Sequence, residues 1–146
     1  MTFKSEGLPQ LNKSSLTEAE DLPRGNGELV LIVDDEETMI EVTRGVMEMN
    51  GYRVVTAGDG VEAITAYADL KDEISLVLTD LLMPFMDGPS TIRAICKLNP
   101  GARVIAWSGV GDREMIRDAT LAGARTFLSK PFSVEHLLRS IHEILK

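Results

Sequence analysis

The chain has 146 residues, of which 44% are hydrophobic and 26% are charged, and this composition is typical of a single globular domain with a core of its own. Its formal net charge of -8 at pH 7 argues against direct nucleic-acid binding, because that binding depends on clustered lysines and arginines, which the sequence lacks. With a single cysteine (Cys96), no signal peptide and no run of roughly 18 apolar residues for a membrane span, the protein is expected to be cytoplasmic, with no membrane partner.

The beginning of the chain differs in composition from the rest. Residues 1–27 hold Pro9, Pro23 and Gly25 among polar and charged residues, a mixture that buries too little apolar surface to offset the cost of ordering. We therefore predict a flexible tail or linker over residues 1–27 and one folded domain over residues 28–146.

Five short apolar runs in the rest of the chain are predicted strands, because each is too short for a typical helix. They are Leu29 to Val33, Tyr52 to Thr56, Leu76 to Thr79, Ala102 to Trp107 and Arg125 to Leu128. Between and after them, apolar residues recur at the spacing of about five helices, and Gly51 and Gly123 are placed to end two of these. The alternation predicts a doubly wound α/β fold, with a parallel sheet covered by helices on both faces.

Acidic residues follow two of the predicted strands. Asp34 and Asp35 come directly after the first strand, and Asp80 directly after the third. Ligands of such folds bind beyond the carboxyl ends of the strands, so we expect these carboxylates to meet at one edge of the sheet. Carboxylates at close range repel one another, and a divalent cation would relieve that repulsion. Ser108 and Lys130 follow the fourth and fifth strands and are expected at the same edge, where a hydroxyl and an ammonium suit phosphoryl oxygens.

With these residues placed, the sequence resembles the receiver domain of two-component response regulators over Glu28 to Lys146. The motifs that carry the resemblance are Val33-Asp34-Asp35-Glu36, Thr79-Asp80-Leu81-Leu82-Met83-Pro84-Phe85-Met86-Asp87-Gly88, Ser108-Gly109 and Phe127-Leu128-Ser129-Lys130-Pro131-Phe132. The resemblance implies a flavodoxin-like, five-stranded parallel sheet with strand order 2-1-3-4-5. It also implies a phosphoacceptor in signal transduction rather than an enzyme.

The resemblance further implies a role for each acidic residue. Asp80 would be the phosphoacceptor, taking a phosphoryl group from the phosphohistidine of a histidine kinase or a histidine phosphotransfer protein. Mg²⁺ would be bound directly by Asp35, through water by Asp34, and by Asp80 and the backbone carbonyl of Leu82. Neither the kinase nor the downstream protein can be named from the sequence.

The remaining implied roles concern the response to phosphorylation. Lys130 would pair with Asp80 and then with a phosphoryl oxygen. A cis peptide bond between Lys130 and Pro131 would direct its ammonium into the pocket. Ser108 would move toward the phosphate and Phe127 would fill the space left, which reshapes the face made by the last two helices and the last strand. A homodimer formed through those helices on phosphorylation is left open, as is the choice between a stand-alone receiver and part of a hybrid histidine kinase.

Two apolar residues of this chain lead to a hypothesis about the lifetime of the phosphorylated form. Leu82 lies two residues after Asp80, and Val110 lies two residues after Ser108. Neither side chain offers a polar group that would orient a hydrolytic water. We therefore expect slow hydrolysis of the aspartyl phosphate.

Three other functions are weighed against the receiver. A phosphatase of the haloacid dehalogenase type also uses an aspartate nucleophile and Mg²⁺, but its two acids stand two residues apart after the first strand, whereas Asp34 and Asp35 are adjacent. A flavin binder of the same fold would need small polar residues there rather than acids, which repel a phosphate. A non-phosphorylated pseudo-receiver, acting only as an interaction module, would need neither the acids nor Lys130.

Overall fold

The computed structural model describes residues 22–109 and 113–146, and five strands alternate with five helices in this part of the chain. The strands are β1 (Leu29–Val33), β2 (Arg53–Ala57), β3 (Ile74–Asp80), β4 (Val104–Ser108) and β5 (Thr126–Ser129). The helices are α1 (Glu37–Met49), α2 (Gly60–Asp69), α3 (Gly88–Leu98), α4 (Arg113–Ala122) and α5 (Val134–Leu145). All strand pairs are parallel and the order is β2-β1-β3-β4-β5, which confirms the predicted flavodoxin-like sheet.

An apolar layer covers each face of the sheet, as continuous apolar strands require. Along β1, Leu31 and Val33 belong to one buried cluster, and Val30 and Ile32 belong to the other, since successive side chains of a strand point to opposite faces. Helices α2, α3 and α4 close the first cluster with residues that include Tyr67, Ile92, Ile95 and Ala119. Helices α1 and α5 close the second with residues that include Ile40, Met47, Leu137, Leu138 and Ile141.

Local sequence signals set several helix ends. Side-chain oxygens at the residues before α2, α3 and α5 accept backbone hydrogen bonds from the first turn, namely Asp59 from Glu62 (2.8 Å), Asp87 from Ser90 (2.8 Å) and Ser133 from His136 (3.0 Å). Gly51 and Gly123 have φ angles of 93° and 130°, which a residue with a side chain rarely adopts. No helix among residues 22–109 and 113–146 combines the length and the apolarity that crossing a membrane requires.

The folded part of the chain begins before β1. Leu22 is buried against the cluster closed by α1 and α5, and the backbone N–H groups of Gly25 and Gly27 donate to the carbonyls of Asn50 and Gly51 (both 2.7 Å). Within the described residues, contacts with the domain therefore reach back to Leu22, inside the stretch for which a tail or linker is predicted. Composition does not predict these contacts, because they are made by a single leucine and by backbone hydrogen bonds, which any residue type can form. The rest of the predicted tail, residues 1–21, lies outside the described residues.

Candidate functional site

Three carboxylates come together at the carboxyl end of the sheet. Asp34 and Asp35 follow β1, Asp80 ends the neighbouring strand β3, and one oxygen from each lies within 4.8 Å of the others. Asp34 is fully buried, Asp80 is 6% exposed and Asp35 is exposed to solvent. Two buried acids with a third at the rim offer the oxygen ligands that Mg²⁺ prefers, and leave one side open for water or a phosphoryl group.

The ammonium of Lys130 partly balances this negative charge. Its Nζ lies 2.9 Å from Oδ2 of Asp34 and 3.8 Å from Oδ1 of Asp80, so the closer partner is Asp34 rather than the expected Asp80. The other oxygen of Asp34 accepts a hydrogen bond from the backbone N–H of Glu36 (2.9 Å). Both oxygens of the fully buried carboxylate are thereby satisfied. The peptide bond between Lys130 and Pro131 is cis, the isomer that the resemblance implies.

The Asp80 carboxyl is held in an unfavourable electrostatic setting. Burial raises its pKa from 3.8 to about 6; Lys130 lowers this pKa and Asp34 raises it, while hydrogen bonds from the backbone of Leu82 and Leu81 lower it. The bond from Leu82 is long, at 3.4 Å. Near neutral pH the charged form therefore persists only against a desolvation cost, which a bound cation would offset.

Ser108 brings an unsatisfied hydroxyl to the same edge. It ends β4, its side chain is buried, and its Oγ has no hydrogen-bond partner in the described part of the chain. Its backbone carbonyl accepts from the N–H of Lys130 (2.7 Å), which joins the ends of β4 and β5. A buried donor without a partner is costly unless something else binds it, and a phosphoryl oxygen would do so. Phe127, on β5 opposite Ala106, is half-buried in the cluster closed by α2, α3 and α4.

The loop after β3 forms the rim of the site. Leu82 has 56% of its surface exposed, so the apolar side chain proposed to face a hydrolytic water does stand at the rim. Val110, its proposed companion, lies outside the described residues. At Gly88 a Cβ atom would lie 2.5 Å from the Leu81 Cα and 2.7 Å from the Asp80 carbonyl oxygen, so only glycine permits this close return of the backbone.

Two aromatic residues add further features to this edge. Phe85 has a φ of 70° and is 93% exposed, an unusual conformation for a bulky residue. Trp107 lies beneath the site, with its ring centroid 5.3 Å from Nζ of Lys130. The available signal for Trp107 was its place directly before Ser108, on the strand between those that carry Asp80 and Lys130. No comparable signal marked Phe85.

The chain is similar in sequence and in structure to proteins of one known family. The sequence profile of the response regulator receiver domain matches residues 30–142. The chain is 36% identical over 121 residues to the chemotaxis protein CheY of Thermotoga maritima, which covers 82% of this chain and 99% of that protein. It resembles a receiver domain protein of Clostridium thermocellum with a TM-score of 0.77 and 30% identity, over 80% of this chain and 93% of that one.

A further solved structure is a complex of CheX with CheY, BeF3 and Mg²⁺ from Borrelia burgdorferi. The similarity to a chain of that complex has a TM-score of 0.76 with 29% identity, over 88% of this chain and 94% of that one. A protein with the same fold therefore occurs in a complex that holds Mg²⁺, BeF3 and a second protein.

Proposed function

The chain belongs to the response regulator receiver domain family, and on that premise we propose that Asp80 accepts a phosphoryl group from the phosphohistidine of a histidine kinase or phosphotransfer protein. The observation that carries the proposal is one buried edge that holds two carboxylates, an ammonium and the hydroxyl of Ser108, which has no partner among residues 22–109 and 113–146. A scaffold without this chemistry would gain stability by replacing those groups with apolar ones.

Each group has a part in the transfer. An oxygen of Asp80 forms the new bond to phosphorus as the bond from phosphorus to the histidine nitrogen breaks. Asp35, Asp80 and the Leu82 carbonyl would bind Mg²⁺, with Asp34 acting through water, and the ion would offset the negative charge that gathers as phosphate meets carboxylate. Lys130 then exchanges part of its interaction with Asp34 for a phosphoryl oxygen.

The response begins at the Ser108 hydroxyl, for which the described residues provide no hydrogen-bond partner. Ser108 gains a hydrogen-bond partner when the phosphate arrives, and it moves toward that partner. Phe127, half-buried on the neighbouring strand β5, turns into the space left by Ser108. The face formed by α4, β5 and α5 changes shape as a result, and a downstream protein or a second copy of the chain binds there. The occurrence of a structural relative in a complex of CheX with CheY supports a protein as the downstream partner.

We expect the phosphorylated form to be long-lived. The protein would then act as a cytoplasmic signalling module and not as an enzyme. The Leu82 side chain at the rim is apolar and exposed, and Val110 is apolar by sequence. A water approaching the phosphoryl group therefore meets no general base at these positions.

The test is phosphorylation of the full chain with acetyl phosphate and Mg²⁺, followed by intact mass measurement. We expect a gain of one phosphoryl group in the wild type and no gain in Asp80→Asn. The matched control is Asp69→Asn, which makes the same change at an exposed acid on α2 and should leave phosphorylation intact. Absence of any gain in the wild type would contradict the proposal and favour the pseudo-receiver.

A further inference from the structure

Trp107 occupies a central position beneath the site. It lies on β4, is fully buried, and stands level with Asp80 on one neighbouring strand and with Leu128 on the other. The backbone N–H of Leu81 donates to its carbonyl (3.1 Å), so the residue after the phosphoacceptor is hydrogen-bonded to Trp107. The backbone of Trp107 is therefore held beside both Asp80 and the strand that leads to Lys130.

The indole ring is a third partner of the Lys130 ammonium. Nζ lies 5.3 Å from the ring centroid, within the range of about 6 Å over which a cation is attracted by an aromatic face. The same nitrogen is 2.9 Å from Asp34 and 3.8 Å from Asp80. Three groups thus attract the ammonium, namely two carboxylates and the indole ring, and only the ring has no formal charge.

A second aromatic ring fixes the indole. Phe132 stacks on Trp107 with centroids 5.3 Å apart and planes inclined by 18°. Phe132 lies two residues after Lys130, so the segment 130–132 contacts the same indole at both of its ends. The indole ring therefore contacts both the Lys130 ammonium and the side chain of Phe132, and holds the segment between them in place.

Packing alone does not explain a tryptophan at this position. The Nε1 of Trp107 is buried and has no hydrogen-bond partner within the described residues. Phenylalanine or leucine would fill apolar space without that cost. Tryptophan, however, presents the most strongly cation-binding face among the aromatic side chains, and this property offsets an unpaired N–H only if a cation is present.

We propose that Trp107 is a positioning residue, which holds the ammonium of Lys130 on the Asp34 side of the pocket and leaves Asp80 free to react. Without the ring, the ammonium is free to close on Asp80 and form a direct ion pair with the carboxylate that must attack phosphorus. The effect on rate rests on the function proposed above, whereas the contact between Lys130 and the ring does not.

The contact is tested by NMR on the full chain. Protons on the Lys130 Cε should be shifted upfield by the indole ring current, and Trp107→Leu should remove that shift. Trp107→Phe, with a smaller aromatic face, should retain part of it. The side chain of the exposed Lys71 provides the internal control and should not change among the three proteins. Identical Lys130 resonances in the wild type and Trp107→Leu would overturn the proposal.

The consequence is tested by the rate of phosphorylation with acetyl phosphate and Mg²⁺. Trp107→Leu should slow the rate between about twofold and about thirtyfold, the range expected for loss of a cation–aromatic contact, and Trp107→Phe should slow it less. Ile105→Val is the matched control, because Ile105 is buried on the same strand in the same apolar cluster, and its rate should equal that of the wild type. Equal rates in all variants would overturn the proposal.

Two further outcomes are distinguishable. Urea denaturation shows whether each variant is folded. If Trp107→Leu does not fold, Trp107→Phe tests the proposal instead, because it must reduce both the phosphorylation rate and the ring-current shift of Lys130. If the wild type accepts no phosphoryl group, the proposed function fails, while the NMR comparison still decides whether Trp107 positions Lys130.

Discussion

At the carboxyl end of the sheet, buried Asp34 and Asp80 share one ammonium, and the hydroxyl of Ser108 is unpaired among the described residues. At the amino end, Leu22 is buried and the backbone of Gly25 and Gly27 is bonded to the turn between α1 and β2. The carboxyl end holds a hydroxyl without a partner among the described residues and carboxylates that repel one another, whereas at the amino end a buried leucine and backbone hydrogen bonds join the chain to the domain. The contacts at the amino end therefore stabilise the fold, and the groups at the carboxyl end reduce its stability.

The largest expected effect lies at the amino end. Leu22→Ala removes a buried side chain and should lower the free energy of unfolding by about 2–4 kcal/mol, because the cavity left behind cannot collapse fully. Leu121→Ala is the matched control, since Leu121 is 79% exposed, and it should change stability by less than about 0.5 kcal/mol. Urea denaturation measures both. A similar small change in the two variants would show that Leu22 does not stabilise the domain.

At the carboxyl end, removing a charge should raise stability. Because burial raises the pKa of Asp80 to about 6, the folded chain binds a proton there more tightly than the unfolded chain does. The stability contributed by this residue is therefore fully present below its usual pKa of 3.8 and is lost as the pH rises through about 6.

Asp80→Asn should accordingly be more stable than the wild type by about 1 kcal/mol at about pH 8 in a chelator, with solvent screening at the open mouth limiting the gain. The difference should shrink as the pH falls toward about 4, where the wild-type carboxyl is protonated. Thermal unfolding across this pH range measures it, with Asp69→Asn as the control. A gain that does not depend on pH would contradict the electrostatic explanation.

The strained loop at the rim provides the next contrast. Phe85 has a left-handed φ of 70° and a side chain that is 93% exposed, so Phe85→Gly relieves the conformation at little loss of packing. We expect a gain of about 0.5–1 kcal/mol in the free energy of unfolding. Phe85→Ala retains a Cβ atom and should show no such gain. Denaturant titration distinguishes the two, and equal stability of the glycine and alanine variants would refute the strain.

A smaller effect concerns the lifetime of the phosphorylated state. Leu82→Asn places a polar group at the rim that can orient water, and should speed loss of radiolabelled phosphate about threefold, equivalent to roughly 0.6 kcal/mol in the barrier. Leu121→Asn makes the same substitution at an exposed leucine on α4 and should leave the half-life unchanged. A wild-type half-life of seconds would contradict the slow hydrolysis itself.

The smallest expected effect is at Ser108. Its Oγ has no partner among the described residues, so Ser108→Ala breaks no hydrogen bond there and should raise the free energy of unfolding slightly, by less than about 0.5 kcal/mol. Asn99→Ala provides the contrast, because the Asn99 amide donates to the hydroxyl of Tyr67 (2.9 Å) and its loss should cost about 1 kcal/mol. A large loss of stability in Ser108→Ala would show that the hydroxyl is already satisfied.

Much of the fold was predictable because periodicity reports burial. The apolar runs predicted all five strands, although four of them end one residue later in the structure than predicted. Asp80 pairs with Trp107, and Ser108 with Ser129, so the functional residues are themselves part of the sheet. A polar residue at the end of an apolar run resembles a loop residue in sequence, whereas its backbone still continues the ladder.

Chain order is enough to predict which groups meet at the carboxyl edge, because parallel strands bring their carboxyl ends together whatever their side chains are. Which of these groups contact one another depends on packing in the folded chain. Lys130 lies nearer to Asp34 than to Asp80, and the ring of Trp107 faces its ammonium. The preference of Lys130 for Asp34 is the difference between 2.9 Å and 3.8 Å among residues far apart in the chain, and chain order carries no information at that scale. Packing around Trp107 and Phe132 fixes these distances.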